Sequence, residues 1–173
     1  MRALVVYESM FGSTEAVAQA VAGGVQEFMA VDIVEVGAAP DAVPDEVTLL
    51  VVGGPTHAFG MSRPATRIDA ARQAPAIISL ERGIREWLKG LPVRTSATQA
   101  TAFDTRVTSR VTGSAARAAS RRLDRLGYLL VAVPEGFRVT GVKGPLVDGE
   151  LDRARAWGMA LGVAVAARQA SRS

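Results

Sequence analysis

The sequence predicts an α/β protein built on a doubly wound parallel sheet. Three observations carry that prediction. Compact apolar runs, above all residues 3–7 and 47–52, have the length and composition of strands buried on both faces. Segments with apolar residues three and four apart alternate with them, as in Ala16, Val17, Ala20, Val21 and Val25. The breaks between the two patterns fall on Gly, Pro and hydroxyl residues, which end strands and start helices. Strand–helix alternation implies right-handed crossovers and helices on both faces of the sheet.

Residues 3–7 form the first predicted strand, and a helix follows over 14–29. Residues 31–36 alternate and predict strand two, stopped by Gly37, Ala38, Ala39 and Pro40. Residues 47–52 are strand three, ended by Gly53, Gly54 and Pro55. Helical patterns occupy 62–73 and 80–89, with Pro75 between them, and 97–103 is a weaker strand four. A helix over 114–126 ends at Gly127, which suits a C-cap. Strand five is expected over 128–133 and closed by Pro134. Asp148 is placed to cap a last helix over 149–168. No repeat, low-complexity segment or linker interrupts this order, so one domain over 1–168 with a short tail over 169–173 is expected.

The chain has 173 residues, of which 49% are hydrophobic and 21% charged. That suffices for a single domain with a sizeable core. No apolar stretch has membrane-spanning length. An apolar strand starts at residue 3, which leaves no room for a signal peptide, so the cytoplasm is the expected compartment. With no Cys, disulfides, thiolate metal sites and cysteine nucleophiles are excluded. The net charge of +3 is carried almost wholly by Arg, since Lys89 and Lys143 are the only lysines. No basic cluster alternates with aromatic residues, so no nucleic-acid partner is expected. Arg117, Arg121, Arg122 and Arg125 read as a solvated helix face.

The first strand breaks into Glu8-Ser9-Met10-Phe11-Gly12-Ser13-Thr14 just before a helix. A helix start has free N–H groups and the positive end of its dipole, and the hydroxyls of Ser9, Ser13 and Thr14 add donors. This is a cradle for a phosphate. It contains no Lys, so it is a neutral cradle and not a nucleotide-triphosphate loop. A Gly-x-Gly-x-x-Gly fingerprint is missing here, since only Gly12 is present. Strand three ends in Gly53-Gly54-Pro55 and strand five in Val133-Pro134, which lack the Asp and Lys of a response-regulator receiver.

The stretch from Val6 to Thr14 resembles the FMN-phosphate loop of flavodoxins, a hydrophobic strand followed by Ser/Thr-x-x-Gly-x-Thr. The resemblance extends over most of the chain. It implies the sheet order 2-1-3-4-5 and FMN as cofactor. Ser9, Met10, Phe11, Gly12, Ser13 and Thr14 correspond to the phosphate loop. Two further segments fall where a flavodoxin has its flavin-ring loops. After strand three, Pro55, Thr56, His57, Phe59 and Gly60 offer a flat apolar surface and backbone groups. After strand four, Phe103, Asp104, Thr105 and Arg106 would lie along the pyrimidine edge, although Phe103 can equally end its strand inside the core and Asp104 can equally cap a turn. His57 is the only histidine; its position implies contact with the ring and not acid–base catalysis. Trp87 and Trp157 read as packing residues, and Gly158 and Gly162 as a helix face that approaches the sheet.

Two departures stand out. Electron-carrier flavodoxins are typically acidic, whereas this chain is basic, with Arg63, Arg67 and Arg106 in or near the loops. Tyr7 and Tyr128 fall in strands, so the ring-stacking tyrosine common in the family has no counterpart. Two functions stay open. One is an FMN-dependent redox protein, either a carrier serving a protein partner or a small oxidoreductase with a small-molecule acceptor. The other is a flavin-free domain that acts through protein contacts or an anion.

Overall fold

In a computed structural model of the chain, residues 1–57, 60–74, 78–94, 97–108 and 113–171 are described. The sheet is parallel, and its strands are β1 (Arg2–Tyr7), β2 (Ala30–Glu35), β3 (Leu49–Pro55), β4 (Gln99–Val107), β5 (Leu129–Leu130) and β6 (Glu135–Val139). The order is β2-β1-β3-β4-β5, with β6 also on β4. The helices are α1 (Ser13–Val25), α2 (Pro64–Ala71), α3 (Ile84–Gly90), α4 (Ala115–Arg125) and α5 (Glu150–Ala170).

Alternation along the strands sorts their side chains between two cores. Leu4, Val6, Leu50, Val52, Ala100 and Ala102 meet α3 and α4 through Ile84, Trp87, Leu88, Ala119 and Leu123. Ala3, Val5, Leu49 and Val51 meet α1 and α5 through Val17, Val21, Leu161 and Val165. Trp87 is fully buried, and its indole N–H donates to the Pro40 carbonyl at 2.8 Å. Arg122 leans on the end of α3 through the carbonyls of Leu88 and Lys89, while Arg117, Arg121 and Arg125 are exposed.

Three expectations change. The fifth strand does not end at Pro134. β5 pairs only with Gln99 and Ala100; the chain then steps away and returns after Pro134 as β6, which pairs with Phe103 to Val107. Pro134 lacks a ladder donor, and the break falls at that point. The glycine face of α5 meets α1 and not the sheet. A Cβ at Gly158 would sit 2.1 Å from the Val21 carbonyl oxygen, so only glycine permits this backbone approach. The last helix starts from Gly149 with no side-chain cap; Asp148 does not supply one. Glu150 carries the polar contacts there, accepting from the Arg138 N–H at 2.7 Å and pairing with Arg153 at 2.7 Å.

No helix among the described residues is long and apolar enough to cross a membrane.

Candidate functional site

Parallel strands put the loops after their carboxyl ends at one edge of the sheet, where such folds bind ligands. At that edge β1, β3, β4 and β6 open onto a cleft of about 200 Å³. Ser9, Met10, Phe11, Ser13 and Thr14 line it from the first loop, and Pro55, Thr56 and His57 from the loop after β3. Thr105, Arg106 and Val107 close it at the end of β4, with Val139 at the end of β6 and Val142 beyond it. Four segments far apart in sequence thus form one site.

The first loop is held in shape from several directions. The Ser9 hydroxyl oxygen accepts from the Gly12 N–H at 3.2 Å and the Glu15 N–H at 3.4 Å, which caps the start of α1. Its own proton stays available to a ligand. Gly12 begins the helix in the left-handed region, with φ 95° and no side-chain cap. The crossover before α3 pairs with this loop: the Ser79 N–H donates to the Ser9 carbonyl at 2.9 Å, and the Ile78 N–H to the Met10 carbonyl at 3.3 Å. The Ser79 hydroxyl accepts from the Ser9 N–H at 3.1 Å and donates to Glu35 at 2.5 Å. Thr14 is buried against Thr105, their hydroxyl oxygens 2.7 Å apart.

Glu8 precedes this loop and is 1% exposed. Its Oε2 accepts from the Ile84 N–H at 2.8 Å, while Oε1 has no hydrogen-bond partner. Burial pushes its pKa up, against the opposing pull of the Ser62 hydroxyl, the Ile84 N–H and the Arg67 guanidinium. Arg67 is itself buried, pairs with Glu86 at 3.1 Å and donates to Ser62 at 2.9 Å. It therefore braces the crossover and does not line the cleft.

The loop after β3 turns tightly. The His57 N–H donates to the Gly60 carbonyl at 2.8 Å, and the Gly60 N–H to the His57 carbonyl at 2.9 Å. Arg85 holds the exit of the turn through the carbonyls of Met61 at 2.7 Å and Ser62 at 3.0 Å. Burial, and then the charge of Arg67, lower the His57 pKa, so the imidazole stays neutral at neutral pH. Phe59 lies outside the described residues.

In the third segment, only part of the expected set reaches the cleft. Thr105 and Arg106 line it, whereas Phe103 and Asp104 do not. Phe103 is 1% exposed and packs edge-on against Phe137 and Trp157. Its ring fills the space beside Gly53, where a Cβ would come 2.0 Å from Cζ. Asp104 accepts from the Ser114 hydroxyl at 2.6 Å and the Ala116 N–H at 3.0 Å, and so caps α4. Arg106 leans back on it at 3.4 Å. Gly60 and Gly12 border the site through their backbones and do not line the cleft itself. Tyr7 is buried in β1, its hydroxyl donating to Glu15 at 3.0 Å, and its pKa is pushed up to about 12, chiefly by burial. It does not stack over the cleft.

Val107 escaped sequence reasoning because β4 runs on to residue 107 and not only to 103, and Val139 and Val142 because β6 was not foreseen. The alternation Glu135-Gly136-Phe137-Arg138-Val139 after Pro134 is the signal that shows it.

No protein-family model and no curated protein matches this sequence. Solved structures do. A flavodoxin from the domain Archaea superposes with a TM-score of 0.64 at 19% identity, covering 95% of this chain and 99% of that one. The chain has the flavodoxin fold. Oxidised Flavodoxin 2 from Bacillus cereus gives 0.66 at 15% identity, covering 97% and 99%. Rubredoxin oxygen:oxidoreductase from Desulfovibrio gigas gives 0.66 at 18% identity; the match covers 98% of this chain but 37% of that longer one.

Proposed function

We propose that this protein binds one FMN per chain, non-covalently, in the cleft at the carboxyl ends of β1, β3, β4 and β6, and passes electrons through it. The observation that carries the reading is the convergence of the Ser9–Thr14 loop with Pro55, Thr56, His57, Thr105 and Arg106 around one cavity. The donor set suits a phosphate. The first turn of α1 presents N–H groups and a positive dipole end, and Ser9 and Ser13 supply hydroxyls. The neighbouring wall of Met10, Phe11, Pro55 and His57 suits a flat heteroaromatic ring. The bound flavin would supply the redox chemistry. The protein's part is to hold its phosphate, to orient the ring and to set the charge around it. Similarity to solved flavodoxins over nearly the whole chain supports the same reading.

Titration of the ligand-free protein with FMN and with riboflavin, followed by flavin fluorescence, tests the proposal. FMN is expected to bind more tightly, because only FMN carries the group that the first loop suits. Equal affinities would remove the phosphate assignment, and no binding of either would favour the flavin-free reading.

A further inference from the structure

We propose that Lys143 supplies the countercharge for the cofactor's phosphate, a charge that the Ser9–Thr14 loop itself lacks. The inference rests on the FMN reading above. A phosphate monoester carries between one and two negative charges at neutral pH, whereas the donors of the first loop are all neutral.

The fold brings a cation to that loop from 130 residues further along the chain. After β6 the chain makes a closed turn, with the Gly144 N–H donating to the Gly141 carbonyl at 2.9 Å and the Thr140 N–H to the Pro145 carbonyl at 2.8 Å. An antiparallel bridge between Val139 and Leu146 closes its base. The turn is seated on the first loop: a Cβ at Gly144 would lie 2.7 Å from the Ser13 hydroxyl oxygen. Lys143 and Gly144 share an open cavity of about 540 Å³ with Phe11, Gly12 and Ser13.

The Lys143 ammonium is exposed and donates to the Gln73 carbonyl at 2.6 Å. Among the described residues it makes no salt bridge to a carboxylate. An ammonium has three donors, so a neutral carbonyl leaves two of them for an anion. Its long, flexible stem lets the charge swing within the cavity that it shares with Phe11, Gly12 and Ser13. Arg106, the cation that lines the cleft itself, is held back by Asp104.

The test compares FMN and riboflavin binding in the wild type, Lys143→Met and Lys143→Arg, at low and at high salt. Lys143→Met is expected to weaken FMN roughly fivefold, the scale of one solvent-exposed charge contact, and to leave riboflavin unchanged. It should also flatten the salt dependence of FMN binding, and Lys143→Arg should restore both. Equal losses for the two ligands would make Lys143 a structural latch to Gln73 and overturn the proposal, as would an unchanged FMN affinity. If the wild type itself does not prefer FMN, the phosphate reading of the first loop fails and takes this proposal with it. A wild-type preference that survives Lys143→Met intact overturns the Lys143 assignment alone.

Discussion

The hydroxyls of Thr14 and Thr105 meet in the interior with their oxygens 2.7 Å apart, so the first turn of α1 is tied directly to the end of β4. Two of the four segments that line the cleft are therefore joined before any ligand arrives. Either oxygen can be the donor, which leaves one hydroxyl proton of the pair uncommitted.

Thr14→Val removes one partner and leaves the buried Thr105 hydroxyl, at the wall of the cleft, without it. The ligand-free protein should lose about 1–2 kcal/mol in urea unfolding, the range for an unsatisfied buried hydroxyl. Thr14→Val combined with Thr105→Val removes both polar groups and should recover much of that loss. FMN binding should fall in the single variant without vanishing, since the backbone donors of α1 remain. Equal stability of the single and double variants would show that the pair contributes nothing as a pair.

Glu8 makes stability depend on pH. Its folded-state pKa is raised, chiefly by burial, above the ordinary value of 4.5. The folded protein therefore holds this proton more tightly than the unfolded chain. The resulting stability is fully present below the ordinary carboxylate range and is lost as the pH rises through the elevated folded value. Glu8→Gln stays neutral throughout, so urea midpoints measured across the acidic to neutral range should decline less with pH in the variant. Parallel pH profiles for wild type and Glu8→Gln would show that Ile84, Ser62 and Arg67 compensate for burial in full.

Arg106 lines the cleft with its side chain 31% exposed. A positive charge near the ring favours electron uptake, and solvent together with Asp104 moderates the effect. In the FMN-loaded protein, Arg106→Gln should shift the flavin midpoint potential to more negative values by about 20–50 mV, a Coulomb term of order 1 kcal/mol at most. Spectroelectrochemical titration reads the shift directly. An unchanged potential would place the guanidinium too far from the ring, or too well neutralised by Asp104, to act.

The order of strands and helices up to β4 was legible because each element carries its own local signal. Residues 3–7 and 49–52 are apolar throughout, as strands covered on both faces must be, and Ser9 to Thr14 carry the hydroxyl and Gly residues of a helix start. The turn from β1 into α1 could be read for the same reason: all its residues are consecutive. Phe103 and Asp104 could not be assigned this way. Neighbouring residues on a strand point to opposite faces, and what each face meets depends on Gly53, Phe137 and α4, which lie far away in sequence. Arg67 likewise reads as a loop cation until Glu86 and Ser62 close around it in the interior.

By itself, then, the sequence determined the layered parallel sheet and the local chemistry of its first loop, since periodicity and helix-start chemistry act over a few residues. Tertiary structure alone decided the pairing of both β5 and β6 with the single strand β4, the seat of the glycine face of α5 on α1, and the seat of Gly144 against Ser13. Those outcomes depend on how close two distant backbones come, and no local propensity encodes that distance.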